Sequence, residues 1–175
     1  MKRVLFTLTV LTATTLGSFA QTGASISTPA KTGGKFSIGV EAGLPLGDAS
    51  DSFSSIIGGS VKYEASIGVN TYFTISGGYN SYTTKNVLIA IGVPSSFGFV
   101  PLKAGIKYYS TDGFFLEGQV GVTISTEKNG SNFFAYSPGV GYSFNGGLEA
   151  GVRFEGWTKG TGSVNQLGLR LAYRF

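Results

Sequence analysis

The sequence predicts an all-β fold, an eight-stranded antiparallel up-and-down transmembrane β-barrel spanning residues 35–175. Three observations predict it. From Lys35 onward no helical period is present, and the chain instead runs in segments of about ten residues with period-two alternation. Within those segments the charged side chains share one face while the other face is apolar. The composition also departs from that of a water-soluble domain. Charged residues make up 13% of the 175 residues, against roughly 25% in an ordinary soluble domain, and Gly (28), Phe (14) and Tyr (9) are abundant.

The first twenty residues are expected to be removed. Met1-Lys2-Arg3 is a short basic start, 4–16 is an apolar run interrupted by Thr7, Thr9, Thr12 and Thr14, and Gly17-Ser18-Phe19-Ala20 offers the small residues that a signal peptidase reads. Cleavage is expected between Ala20 and Gln21. The run falls short of the roughly 20 apolar residues of a permanent anchor, and no cysteine follows for lipid attachment. Residues 21–34 are polar and small, a flexible leader.

The barrel segments are 35–46, 55–67, 71–83, 97–109, 114–125, 132–144, 148–158 and 164–175. Each meets the roughly 9–11 residues that a tilted strand needs to cross a bilayer, and the count is even, as in single-chain bacterial barrels. Gly68-Val69-Asn70, Ser110-Thr111-Asp112-Gly113 and Asn145-Gly146-Gly147 are tight turns, with Gly or Asn where positive φ is needed. Between them lie the longer connections 47–54, 84–96, 126–131 and 159–163. Short turns at one end and longer loops at the other match outer-membrane barrels, and both termini then fall on the short-turn, periplasmic side.

The distribution of charge decides which face is inside. In the last segment Leu167, Leu169, Leu171, Tyr173 and Phe175 oppose Gln166, Gly168, Arg170, Ala172 and Arg174. The polar face of the whole set carries Glu41, Glu64, Glu117, Glu149 and Glu155 against Lys62, Lys103, Lys107, Arg153, Arg170 and Arg174. A soluble barrel hides its apolar face, whereas a membrane barrel turns it to lipid and keeps polar side chains in the lumen. Near balance of charge, with glycines such as Gly39, Gly105 and Gly139 filling much of the rest, fits a crowded interior better than a solvated surface. The apolar face carries aromatics near segment ends (Tyr63, Tyr108, Phe114, Tyr142, Phe144, Tyr173, Phe175), candidates for an interfacial girdle. A lipid-facing Lys or Arg at the midplane costs about 2–4 kcal/mol, and none falls on that face.

The ending Leu167-Gly168-Leu169-Arg170-Leu171-Ala172-Tyr173-Arg174-Phe175 resembles the C-terminal signal of outer-membrane proteins, which alternates apolar residues and finishes on an aromatic. The resemblance implies recognition by the barrel-assembly machinery through Leu167, Leu169, Leu171, Tyr173 and Phe175. The stretch Phe99-Val100-Pro101-Leu102-Lys103-Ala104-Gly105-Ile106-Lys107-Tyr108-Tyr109, with Phe114-Phe115-Leu116-Glu117-Gly118-Gln119-Val120-Gly121 after the turn, is similar to the central hairpin of the outer-membrane β-barrel domain proteins common in Bacteroidetes. Over residues 35–175 the likeness implies a small barrel of the OmpA and OmpX kind.

Two features sit awkwardly in this scheme. Pro101 and Pro138 fall inside strands of a sheet that has no edge, so bulges are expected there. The apolar stretch 86–93 (NVLIAIGV) is expected to extend the third and fourth strands beyond the membrane, with an additional strand as the alternative.

For function, the absence of Cys and His excludes thiolate or imidazole metal sites and Ser-His or Cys-His nucleophilic pairs. It also excludes the histidine-dependent lipid A acyl transfer and deacylation known in some small outer-membrane barrels. A net charge of +4, evenly mixed, does not suggest a nucleic-acid surface. The inner charges read as a structural salt-bridge network, because an eight-stranded barrel is just wide enough for its side chains to fill. Glu149 and Glu155 are conceivable as an acid–base pair, but their neighbour Arg153 favours ion pairing. Asp48 and Asp51 read as solvated loop acids. The expectation is therefore a monomeric, cofactor-free, non-enzymatic protein of the cell outer membrane, surrounded by lipid, with a structural or surface-interaction role. The alternative is a minor transport route for ions or a small apolar ligand through or beside the barrel.

Overall fold

The computed structural model describes residues 33–175 apart from 111, 112, 129 and 161. The expected signal segment and its Ala20–Gln21 cleavage point, with most of the leader, lie outside the described residues. Eight strands form one closed antiparallel barrel in chain order: β1 (Lys35–Leu46), β2 (Phe53–Gly68), β3 (Thr71–Thr84), β4 (Ser96–Tyr109), β5 (Phe114–Ser125), β6 (Asn132–Ser143), β7 (Leu148–Lys159) and β8 (Gly162–Arg174). β1 and β5 have the bounds expected from alternation, and the others differ by one or two residues at an end. Closure is by β1 against β8, from Ser37↔Arg174 to Leu46↔Asn165, so no strand edge is left unpaired.

Turn chemistry explains the short connections. Asn70 has φ 55°, and Gly113, Gly146 and Gly147 have φ 87°, 91° and 94°, the left-handed values that Asn and Gly adopt at least cost. At the other end two loops contain single helical turns, α1 (Ala49–Ser52) and α2 (Asn86–Ile89).

The second of these corrects the expectation for 86–93, which neither extends the flanking strands nor forms an extra one. Strand pairing ends where Thr84 donates its N–H to Ser95 and its hydroxyl to Pro94 O. Beyond that point no neighbouring strand offers partners, so the backbone satisfies itself locally. Ile89 N bonds Lys85 O, Ala90 N bonds Asn86 O, and Gly92 at φ 94° turns the chain back. Val87 and Ile91 are left 77% and 75% exposed.

The prolines also differ from expectation, since neither creates a bulge. Pro101 keeps its pairing with β5 opposite Thr123. Toward β3 the ladder lapses between Gly77↔Leu102 and Asn80↔Phe99 and resumes in unchanged register. Pro138 pairs with Gly118 of β5 and interrupts the ladder to β7 in the same way, between Tyr136↔Gly156 and Gly139↔Arg153. A missing N–H thus costs a local pairing on one side without displacing a residue. The register shifts lie instead on β2, at Phe53/Ser55 and Ser66/Gly68. The first of them has a packing consequence. The extra residue Ser54 reverses the alternation and brings Phe53 inward, where its ring meets Tyr82 edge-on at 5.3 Å.

The two faces are inverted relative to a soluble barrel. Outward Val40, Ile57, Ile75, Leu116, Val120 and Leu169 are 50% or more exposed, while inward Glu64, Lys107 and Glu155 are at most 1% exposed. Of the outward aromatics, Phe36, Tyr63, Phe73, Tyr108, Phe114, Tyr142, Phe144, Tyr173 and Phe175 all ring the short-turn end. The loop end carries fewer, among them Tyr79 and Phe134. Tyr136 is outward too, and its ring lies over Gly156 on the next strand, where any Cβ would collide with it.

Inward glycines let strands approach closely. A Cβ on Gly105 would run into the backbone of Gly118 and Gln119, which cannot give way, whereas a Cβ on outward Gly118 would meet nothing within 4 Å. Gly105→Ala is therefore expected to lower stability by about 1–3 kcal/mol through overpacking. Gly118→Ala should stay within about 0.5 kcal/mol of the parent. Urea unfolding of the refolded barrel in detergent, followed by the loss of its compact gel form, checks both.

Candidate functional site

The lumen gathers every inward charge that alternation assigns to it. Its middle is a run of ion pairs between strands far apart in sequence. Arg153 clasps Glu41 with both terminal nitrogens, at 3.0 and 2.6 Å, across the barrel from β7 to β1. Such a two-pronged contact fixes orientation as well as charge. Lys62 meets Glu117 at 2.5 Å and Lys103 meets Glu155 at 2.5 Å. Lys107 serves two acids, Glu64 at 2.7 Å and Glu149 at 2.5 Å. Arg170 approaches Glu149 at 3.4 Å and Glu41 at 3.8 Å, and its remaining donors go to Ser60 Oγ (3.0 Å) and Ser37 Oγ (3.2 Å). Arg153 Nε lies 2.9 Å from Glu155 but is not aligned to donate to it. All five inward acids are thus engaged by five inward bases. Arg174 stands apart, donating to Tyr109 Oη at 2.7 Å and Ser143 Oγ at 3.1 Å.

Above this layer, at the loop end, the lumen is closed by an apolar plug. Trp157 and Tyr82 are 1% and 0% exposed and stack among Phe53, Phe99 and Phe133, with Ile56, Ala135 and Val164 filling the rim. The Trp157 ring centre lies 5.0 Å from Phe99 and 5.2 Å from Tyr82, within the range where aromatic pairs add to simple burial. The indole N–H donates to Glu155 at 2.8 Å, which ties the plug to the charged layer. At the short-turn end Phe115, Tyr109 and Tyr72 line the interior, and Lys107 Nζ sits 3.9 Å from the Phe115 ring centre. Lys35 belongs here too, with its Nζ 3.1 Å from Tyr72 Oη.

Sequence reasoning missed the plug and the inward position of Lys35. The signal for most of it was present: Trp157 shares its face with Arg153 and Glu155 by period two, as Phe99 does with Lys103. A rule that equates apolar with outward passes over such residues.

Little space remains inside. Two voids among the described residues of the charged layer measure about 20 and 10 Å³, and a single water needs roughly 10–15 Å³. Chemically the arrangement holds its groups rather than offering them. Glu149 accepts from Lys107, Arg170 and Ser143, and Glu155 from Lys103 and Trp157, so both carboxylates are engaged in the network. Among the described residues no cluster of acids is placed to hold a metal ion. Asp48 and Asp51 are exposed on the first loop.

No family model matches the chain, and no curated protein sequence does. Solved structures do. The crystal structure of Ail, the attachment invasion locus protein of Yersinia pestis, superposes with a TM-score of 0.58 at 17% identity, over 81% of this chain and 97% of that one. The N-terminal β-barrel domain of Pseudomonas aeruginosa OprF gives 0.54 at 14% identity, over 81% and 97%. The designed transmembrane barrel TMB2.3 gives 0.56 at 20% identity, over 81% and 94%. The chain has the fold of the small eight-stranded outer-membrane barrels. That a designed sequence matches as well as natural ones marks the likeness as one of architecture, set by strand number and the inversion of faces.

Within this fold the ion pairs give a sharp expectation. Lys107→Met would leave Glu64 with no cation in contact and Glu149 with Arg170 alone, at a cost of about 3 kcal/mol or more. Adding Glu64→Gln should recover part of that loss, because an amide needs no counter-charge. Unfolding midpoints of the single and double variants test the coupling.

Proposed function

We propose that this chain is an integral outer-membrane protein with a structural or surface-interaction role, carrying out no catalysis and presenting four loops from a rigid barrel. The observation that carries this reading is the filled lumen, with paired charges below, an aromatic plug above, and voids of about 20 and 10 Å³ within the charged layer. A barrel filled in this way offers partners only its loops and its lipid-facing wall. Export would depend on the segment ending at Ala20, cleaved before Gln21. Insertion would depend on the assembly machinery reading β8 and the residue after it, where Leu167, Leu169, Leu171, Tyr173 and Phe175 are all exposed on the outer side. Lipid is then the partner of the apolar belt, and a monomer suffices because closure leaves no edge to pair. Among the loops 84–96 is best suited to contact, since Val87 and Ile91 present apolar surface to water without cover.

Of the transport alternative, the route through the barrel is disfavoured by the same closure, which does not bear on an apolar ligand moving beside it. On the route through, ions or an apolar ligand would need several ion pairs and the Trp157 plug to part together.

Two measurements test the proposal. Mature protein from purified outer membranes, run on a gel with and without boiling, is expected to migrate as a compact species until heated. Soluble recovery with no heat-dependent shift would overturn the assignment of faces. Trp157 is the only tryptophan, so its fluorescence reports the plug alone. It should emit at short wavelength and resist iodide quenching in the folded barrel. Quenching comparable to that of the unfolded chain would favour the open path.

A further inference from the structure

Charge in the lumen does not balance at the short-turn mouth. Five inward cations match the five inward carboxylates in ion pairs, and two more inward cations, Lys35 and Arg174, remain. Among the described residues neither lies within ion-pairing distance of a carboxylate. Both sit at the same end, flanking one side chain. Lys35 Nζ is 5.2 Å and the Arg174 guanidinium carbon 5.8 Å from the centre of the Tyr109 ring. Among the described residues the other charged side chains facing this mouth are already committed, Lys107 to Glu64 and Glu149, and the neutral Tyr109 hydroxyl donates to Glu64 at 3.1 Å.

Both cations keep donors in hand. Lys35 uses one of its three on Tyr72, and Arg174 uses only one terminal nitrogen, on Tyr109 and Ser143, leaving the rest of its fork. Both are half-buried, open toward the mouth rather than sealed beneath the network. Neutral hydroxyls and aromatic faces hold the two cations in place, and no described carboxylate compensates their charge.

We propose that the short-turn mouth binds a phosphate group between Lys35 and Arg174. Two cations at one mouth suit the charge of roughly −1.5 to −2 that inorganic phosphate carries near neutral pH, and exceed the single charge of a phosphodiester headgroup. The free edge of a guanidinium fits two phosphate oxygens at once. The group could come from soluble phosphate or from the headgroup of a phospholipid at the aromatic belt of Tyr173, Phe175 and Phe36. Only the lipid source rests on the membrane reading above.

The test uses the folded barrel refolded in a phosphate-free glucoside detergent, titrated with inorganic phosphate by calorimetry in a chloride buffer. Saturable binding of one phosphate per barrel is expected for a soluble source, weakened about tenfold by either Lys35→Gln or Arg174→Gln and abolished by both. Arg174→Lys should restore part of it. For a lipid source, inorganic phosphate fails, but barrel extracted from membranes and washed in the same detergent retains one phosphorus per chain, absent from the double variant. The heat-dependent gel shift of every variant verifies folding, so failure of the site is distinguishable from failure of the barrel. Neither bound phosphate nor retained phosphorus, or either one unchanged in the double variant, overturns the proposal.

Discussion

The middle of an eight-stranded cylinder has no room for bulk water, so a charge buried there must find its counter-charge there. That constraint governs the rest of this structure. The inner wall carries five carboxylates, and each lies against a cation from a distant strand, β1 with β7, β2 with β5, β4 with β7. Glycine fills the positions between them because long charged side chains crossing the lumen need the wall behind them to be thin. The apolar residues, displaced from the interior, form the outer belt, and so the inversion of faces follows from the narrowness of the lumen as much as from the bilayer outside.

The same constraint makes the two ends unlike. At the loop end, where the charged layer gives out, an apolar plug takes over and shares its Trp157 N–H with Glu155. At the short-turn end the described residues form no such plug, and the interior finishes on tyrosines and two cations with no ion-pair partner among them. The dense outer ring of aromatics lies at this second end as well.

Much of this was legible in the sequence because period two is a strong signal wherever one face excludes charge. Eight strands, their bounds to within two residues, the tight turns and the inward charges all follow from it. What was not legible depended on facts that alternation does not carry. A single inserted residue, Ser54, reverses the phase of β2 and delivers Phe53 to the plug. Pro101 and Pro138 read as sites of bulging, yet a strand with two neighbours can forgo one pairing and keep its register. The stretch 86–93 looked strand-like by composition, but beyond Lys85, whose N–H still bonds Ser52 O, no neighbouring strand is at hand and its backbone closed into a helical turn. Which acid meets which base was also hidden, because Glu41 and Arg153 are 112 positions apart and meet only once the barrel has closed.

That last point bears on what the ion pairs are for. A buried pair is weak evidence of stability, since well-packed apolar groups would serve as well or better. In a closed barrel, however, a residue on one strand can be opposed correctly only if every intervening strand is in register. A slip of two residues at the β1–β8 seam would keep apolar side chains facing lipid, and so escape detection by the membrane. The same slip would pull Glu41 away from both Arg153 and Arg170 and leave a carboxylate buried alone. The outer face specifies which way each side chain points, and the inner face specifies which of the like-facing registers is allowed. Charge in the lumen is therefore best understood as the term that makes one closure preferable to its neighbours, a role that hydrophobic packing against fluid lipid cannot fill.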